Sequence, residues 1–159
     1  MKAIIISKPG GLASLIEKSV PDPIAGPDDL IVAVQAAGLN RAAIIQRIGN
    51  YPQPGIKPDF EIPGLEYAGK VVQIGNRVED FKIGDHVMGL LSGGGYAEFV
   101  STPARLAIHR PQELSWHKAG GTPEVYITAH DALSQCQLVA GETVLVHACG
   151  SGVGRSSKH

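Results

Sequence analysis

Short apolar runs alternate with glycine- and proline-rich turns over most of the chain. The runs at Lys2–Ser7, Leu15–Val20 and Leu30–Gly38 predict three strands, and the third is apolar on both faces, as a central strand would be. Further strands are predicted in "LEYAGKVVQIG", "HVMGLL" and "YAEFV". The 20 glycines and 11 prolines are scattered between these runs. This pattern is typical of many short strands joined by tight turns.

Two stretches change to a helical period. Asn40 stands where an N-cap belongs and Gly49 where a C′ glycine belongs, which predicts a helix over Arg41–Ile48. The pattern becomes helical again from Ser115, and Pro123 suits the first position of a longer helix. The apolar face predicted for that longer helix comprises Val125, Thr128, Ala129, Ala132 and Leu133.

The C-terminal stretch predicts a buried strand, Thr143–Ala148, followed by a glycine-rich turn. The turn does not match the dinucleotide fingerprint G-x-G-x-x-G, because Arg155 stands where the last glycine belongs. A variant that opens at Ala148 and closes with Gly152 and Gly154 would still permit a tight turn and a close backbone approach. Taken alone, a glycine-rich turn after an apolar strand is a weak signal and is more often purely structural.

Composition narrows the class of protein. The 159 residues suit one domain or slightly more, and 43% hydrophobic with 18% charged residues is an ordinary globular composition. The net charge of −1 and the lack of a basic stripe argue against nucleic acid as a partner. The apolar run "LIVAVQAAGL" is too short to span a bilayer, and the N-terminus lacks a signal peptide. Two cysteines without framework spacing favour free thiols and a cytoplasmic protein.

Five segments in register resemble one family. They are "GLNRAAIIQRIGNYP", "IPGLEYAGKVVQIG", "FKIGDHVMGL", "GGGYAEFV" and "VLVHACGSGVG". Together they look like the zinc-free quinone oxidoreductase (zeta-crystallin-like) branch of the medium-chain dehydrogenase/reductase superfamily. The resemblance implies a GroES-like barrel that carries the substrate cleft, followed by a Rossmann domain that binds NADPH.

The resemblance also implies a domain organisation. The expected fold is mainly β with α: a GroES-like substrate and catalytic domain at 1–122, then the first helix and strand of a truncated Rossmann domain at 123–159. The helix that follows the glycine turn in such a domain is expected to be missing. The tail "RSSKH" does not continue the family pattern.

No metal site is expected. Catalytic zinc needs three protein ligands. Zinc-dependent relatives supply a Cys near "AAGLN" and a His before the glutamate of a Gly-His-Glu motif, whereas this chain has no Cys there and reads Gly64-Leu65-Glu66. The structural zinc of those relatives needs four cysteines, and the chain has two. Glu66 is therefore expected to serve in a hydrogen bond or salt bridge.

Without metal, a dehydrogenase works by positioning and by hydrogen bonds to the developing oxyanion. Asn40 and Tyr51 carry suitable groups, although an ordinary N-cap and a loop aromatic are the alternatives. The resemblance places both beside the nicotinamide and substrate, and it places Thr128 near the nicotinamide. It assigns the cofactor contacts of the turn to Gly150, Gly152, Val153 and Gly154. One departure is Ala43, where family members commonly carry an Asp that organises the cleft.

The resulting hypothesis is an NADPH-dependent oxidoreductase that reduces quinones or related enones by hydride transfer, with this chain an inactive fragment of it. The expected partners are a small-molecule substrate and a second copy of the chain, in a homodimer. Two alternatives stay open: a 2-enoyl-thioester reductase, in which a tyrosine at the Tyr51 position protonates the substrate carbon, and a non-catalytic GroES-like binding module or decoy.

Overall fold

The computed structural model describes residues 1–51 and 58–157. The seven strands of this part of the chain are β1 (Lys2–Ile6), β2 (Leu15–Ser19), β3 (Asp29–Ala36), β4 (Glu66–Ile74), β5 (His86–Leu90), β6 (Phe99–Pro103) and β7 (Ala107–His109). Its α-helices are α1 (Arg41–Arg47), α2 (Trp116–Gly120), α3 (Pro123–Gln135) and α4 (Gly152–Ser156). Short 3₁₀ turns at Leu12–Ser14 and Ala104–Leu106 precede β2 and β7.

The strands form two sheets in which neighbouring strands are antiparallel. One sheet pairs β1 with β2, and the other has the order β6-β3-β4-β5-β7. The segment before β6 joins the sheets: the Ile4 N–H donates to the Tyr96 carbonyl at 2.9 Å, and the Glu98 N–H donates to the Lys2 carbonyl at 3.1 Å. The sheets therefore form one curled, barrel-like structure.

The main core lies on the inner face of the five-stranded sheet. Its fully buried residues come from four strands: Leu30, Val32, Tyr67, Val71, Val87 and Val100. The opposite face of β4 and β5 presents Ala68 and Met88 to Ala119 of α2. Strand β4 is buried on both faces because a core covers one side and a helix the other. This burial fixes the start of β4, at Glu66, in the interior.

Most of the predicted elements are confirmed in the structure. Strands β1, β2, β3, β4 and β5 and helix α1 lie within one or two residues of their predicted bounds. Gly49 has a φ of +86°, as the C′ position of a helix requires. The strand predicted for "YAEFV" begins three residues later, at Phe99, the first residue in register with β3. The Glu98 carbonyl accepts from the Val34 N–H at 2.9 Å, and Ala97 forms an isolated bridge with Ala3.

Helix α3 begins at Pro123 as predicted, but its predicted apolar face is partly wrong. Ala129 is buried, and Val125 and Leu133 are half-buried. Thr128 and Ala132 are exposed. At 100° per residue the buried stripe is centred on Ala129, so these two lie on its flank.

The predicted strand Thr143–Ala148 is not formed. Five of its six residues are exposed, and within the described ranges no other segment pairs with them. A strand exists only through its ladder of hydrogen bonds, so an apolar sequence without a paired neighbour stays irregular.

The expectation that no helix follows the glycine turn is also wrong. Helix α4 begins at Gly152, inside the glycine run itself. Ser151 caps it, since its hydroxyl accepts from the Gly154 N–H at 3.0 Å. None of the helices in residues 1–51 and 58–157 has the length and apolar character needed to cross a membrane.

Candidate active site

Helix α1 presents two different faces. Toward the barrel it buries Gln46, whose amide donates to a Glu61 carboxylate oxygen at 3.3 Å. The other face carries Asn40, Ala43, Ile44 and Arg47, and these line a pocket. The spacing i, i+3, i+4, i+7 explains why these residues share one side of the helix.

The pocket has a volume of about 420 Å³ and a mainly apolar wall. Pro63 and Tyr96 also line the pocket, and Leu12, Leu15 and Leu39 complete the apolar part of the lining. Leu12 is 76% exposed and Leu39 is 88% exposed. Large apolar side chains left in water around a concave surface are typical of a ligand site.

Asn40 is the N-cap of α1 in backbone conformation, but its side chain does not cap the helix. Its Nδ2 instead donates to Oε1 of Glu66 at 2.7 Å. The helix thus loses a cap that would be worth about 1 kcal/mol. In exchange, the amide is held at the wall of the pocket.

Glu66 is 1% exposed and uses both carboxylate oxygens. Oε1 accepts from Asn40, and Oε2 accepts from the Glu124 backbone N–H at 2.9 Å. Glu124 is the second residue of α3; Pro123 before it has no N–H, and the Thr122 hydroxyl donates to the Lys118 carbonyl. The Glu66 carboxylate therefore caps α3 from a distant strand, and the expectation of a hydrogen-bonding Glu66 is confirmed.

Burial raises the pKa of the Glu66 carboxyl above its ordinary value. The hydrogen bonds from the Glu124 N–H and from Asn40 act in the opposite direction, and the nearby Glu124 carboxylate raises the pKa further. Gly38 makes room for the carboxylate: a Cβ at Gly38 would lie 1.9 Å from Oε1. Only a glycine fits at this position.

Tyr96 belongs to the same cluster. Its hydroxyl donates to the Gly38 carbonyl at 3.2 Å. Burial raises the pKa of this hydroxyl, and the negative charge of Glu66 raises it further. Tyr96 consequently remains a neutral hydrogen-bond donor at the pocket wall.

Tyr51 is half-buried and follows α1 by four residues. The residues that line the pocket with Asn40 include Tyr96 but not Tyr51. The segment 52–57, immediately after Tyr51, lies outside the described residues. The structure therefore does not bring Tyr51 and Asn40 together in this pocket.

Thr128 lies on the exposed flank of α3, with its hydroxyl 3.5 Å from Oε1 of Glu124. It is one helical turn from the Glu124 N–H that Glu66 caps. Asn40 and α3 are thus linked through one buried carboxylate, although Thr128 itself faces solvent.

The glycine turn has the close approaches that its sequence predicts. A Cβ at Gly154 would lie 2.5 Å from the Ala148 carbonyl oxygen, and a Cβ at Gly152 would lie 2.6 Å from Cγ1 of Val125. Glycine at these two positions lets α4 pack against the turn and against α3. At Gly150 such a Cβ would meet no atom of the described residues within 4 Å, its chain neighbours aside, and Val153 is half-buried.

In the part of the chain that the structure describes, no three His, Cys, Asp or Glu side chains are grouped so that they could hold a metal ion. Cys136 is exposed and Cys149 is half-buried, and both are free thiols. The pocket is lined by an amide, a hydroxyl, two arginine side chains and an apolar wall.

Comparison with known proteins defines the class. Residues 26–112 match the family model described as "Alcohol dehydrogenase GroES-like domain". The chain is 37% identical to the quinone oxidoreductase of Lama guanicoe, covering 97% of the chain and 47% of that protein. It is 35% identical to the human synaptic vesicle membrane protein VAT-1 homolog-like, covering 98% of the chain and 37% of that protein. The chain thus spans less than half the length of these two relatives.

Solved structures agree. The human VAT-1 homolog-like protein superposes with a TM-score of 0.91 at 33% identity, over 98% of the chain and 50% of that structure. The mycobacterial Rv1454c, solved with NADPH, superposes with a TM-score of 0.86 at 32% identity, over 98% of the chain and 48% of that structure. The CurK enoyl reductase superposes with a TM-score of 0.90 at 26% identity, over 98% of the chain and 49% of that structure. The chain belongs to the alcohol dehydrogenase GroES-like domain family, in the quinone oxidoreductase branch of the medium-chain dehydrogenase/reductase superfamily.

Two contributors to the site were missed in the sequence. The role of Tyr96 is not visible in its motif, because its contact with Gly38 joins residues 58 positions apart. The double use of Glu66 depends on where α3 begins, again 58 residues away. Pro123 was a partial signal, since a proline at the first helical position leaves the next N–H as the first to need a partner.

Proposed function

We propose that the chain is the substrate-binding part of an oxidoreductase that uses NADPH to reduce quinones or related enones by hydride transfer, without zinc. The observation that carries this proposal is the apolar pocket with the Asn40 amide fixed at its wall. A flat, uncharged quinone suits an apolar cleft that offers few, well-placed polar groups. Relatives named as quinone oxidoreductases and a related structure that holds NADPH support the same reaction class.

The residues of this chain have positioning roles in that reaction. NADPH supplies the hydride when it is bound. Asn40, through the part of its amide that is not bonded to Glu66, orients the nicotinamide or the substrate, and Tyr51 offers an O–H to the oxygen that gains charge. The apolar wall at Leu39 and Ile44 excludes water. The residues assigned to cofactor binding are Thr128 and the turn residues Gly150, Gly152, Val153 and Gly154.

This assignment includes a division of the chain. Residues 1–122 form the substrate domain, and 123–159 are the start of the NADPH-binding domain. By themselves the 159 residues neither bind NADPH tightly nor reduce quinones. The turn is followed by a helix of only five residues, and 143–148 forms no strand beside it. The phosphate groups of NADPH therefore lack a rigid binding loop.

Two measurements test the proposal. Calorimetric titration of NADPH into the 159-residue chain should give no micromolar dissociation constant. A chimera that joins residues 1–122 to the remainder of the Lama guanicoe quinone oxidoreductase should oxidise NADPH in the presence of a quinone. A folded chimera that binds NADPH but reduces no quinone would contradict the proposal.

A second candidate is a 2-enoyl-thioester reductase, favoured by the likeness to the CurK enoyl reductase. In this reaction Tyr51 protonates the substrate carbon. The same chimera, given a crotonyl thioester in place of the quinone, distinguishes the two: the ratio of kcat/KM for thioester over quinone exceeds one only if the reductase hypothesis holds.

A further inference from the structure

The buried carboxylate of Glu66 faces two donors from distant parts of the chain. Oε1 lies 2.7 Å from Nδ2 of Asn40, and Oε2 lies 2.9 Å from the backbone nitrogen of Glu124. A backbone N–H can only donate, so it fixes Oε2 as an acceptor. An ionised carboxylate accepts at both oxygens and satisfies both donors at once.

We infer that Glu66 is a positioning residue whose carboxylate sets which end of the Asn40 amide faces the pocket. The amino group is held against Glu66, so the carbonyl oxygen is presented to a ligand. Asn40 then accepts a hydrogen bond from a ligand donor, such as a hydroxyl or a carboxamide N–H. The relevance of this acceptor to nicotinamide rests on the proposed function; the orientation itself does not.

The surroundings of Glu66 support a fixed orientation. The side chain is 1% exposed, and the carboxyl sits where a Cβ on Gly38 would collide with it, so it has no room to turn. Tyr96 and Glu124 are the other titratable groups that interact with it; the Tyr96 hydroxyl is already donated to the Gly38 carbonyl. No lysine or arginine pairs with Glu66 among the ion pairs of the described residues.

The variant Glu66→Gln tests the inference with little change in shape. The new side chain has one acceptor and one amino group. If its oxygen takes the Glu124 N–H, its amino group faces Asn40, and Asn40 must rotate its amide to offer the carbonyl oxygen instead. The amino group of Asn40 then turns away from Glu66 and toward the pocket.

The readout is hydrogen exchange of the Asn40 side-chain amide, followed by NMR on the isotope-labelled 159-residue chain without cofactor at neutral pH. In Glu66→Gln we expect the Asn40 amide protons to exchange at least about tenfold faster than in the wild type, the factor that corresponds to one hydrogen bond to a charged group. The Glu124 N–H should stay protected. The matched control is Glu61→Gln, because Glu61 accepts from Gln46 on the other face of α1 and its loss should leave Asn40 unchanged.

A reversed pair gives an independent check. Asn40→Asp alone places two carboxylates in contact and should lower the urea midpoint of unfolding. Adding Glu66→Gln restores a donor–acceptor pair with the direction reversed and should recover most of that midpoint. The inference is overturned if Glu66→Gln leaves the Asn40 protons as protected as in the wild type, or exposes the Glu124 N–H instead, or if the double variant is no more stable than Asn40→Asp. Because no cofactor is present, these outcomes are independent of whether the protein reduces quinones.

Discussion

Gly38→Ala should strongly destabilise this chain. The added Cβ would lie 1.9 Å from Oε1, 2.5 Å from Cδ and 2.8 Å from Cγ of Glu66. Gly38 does not have a positive φ, so the alanine backbone is not strained and the cost is steric alone. The carboxylate must move, and it is buried and bonded at both oxygens.

The size of the effect follows from the bonds at stake. Each hydrogen bond to a charged group contributes about 1.5–3 kcal/mol, so displacing the carboxylate from one donor costs about that much, and displacing it from both costs about 3–6 kcal/mol. A small domain is stable by about 5–15 kcal/mol. The variant should therefore be strongly destabilised or fail to fold.

Urea unfolding followed by the fluorescence of Trp116 measures the difference. The matched control is Gly11→Ala, where the added Cβ meets no atom of the described residues within 4 Å, its two chain neighbours aside; its free energy of unfolding should stay within about 0.5–1 kcal/mol of the wild type. A Gly38→Ala protein as stable as this control would show that the Glu66 carboxylate is not confined as described.

Three further predictions concern the same chain. Burial raises the pKa of folded Glu66 above 4.5, so the folded state binds more protons than the unfolded chain in the interval just above that pH. The stability that Glu66 contributes is complete below that interval and is lost as pH rises through the raised pKa. The difference in free energy of unfolding, wild type minus Glu66→Gln, should therefore fall with rising pH. A difference that rises with pH would contradict a raised pKa of Glu66. Protein purified without chelator should contain no stoichiometric zinc by elemental analysis, and about one zinc per chain would contradict the prediction that the chain has no zinc site. The chain should self-associate through the exposed apolar segment 143–148, in which Leu145 is 82% exposed; light scattering that shows a clean monomer at high concentration, with fast amide exchange confined to this segment, would mean that it does not pair.

The barrel could be predicted from the sequence because its signals are local. Alternation, glycine and proline placement and the C′ glycine of α1 each depend on a few neighbouring residues, and the structure follows them closely. The strand predicted at Thr143–Ala148 failed for the opposite reason: its apolar pattern is correct for a strand, but pairing depends on residues far away in sequence.

The site was only partly accessible from the sequence. Asn40 could be singled out by its position before a helix, but the pattern suggested a cap, and its side chain bonds to Glu66 instead. Tyr51 was the tyrosine suggested by the family, whereas Tyr96 is the tyrosine found at the pocket with Asn40. In both cases the partner is set by the closing of the barrel, which no local pattern encodes.

The most direct test of the central claim is the kinetics of site variants in the chimera that carries residues 1–122. Asn40→Ala and Tyr51→Phe should each lower kcat/KM for a quinone, by up to about 10²–10³-fold, because under the proposed function each removes a hydrogen bond to the nicotinamide or to the developing charge. Gln35→Ala, an exposed position on β3, is the control and should behave like the unmodified chimera. The rate of NADPH oxidation measures kcat/KM, and we expect it to fall in both site variants; unchanged kcat/KM in both would contradict the proposed function.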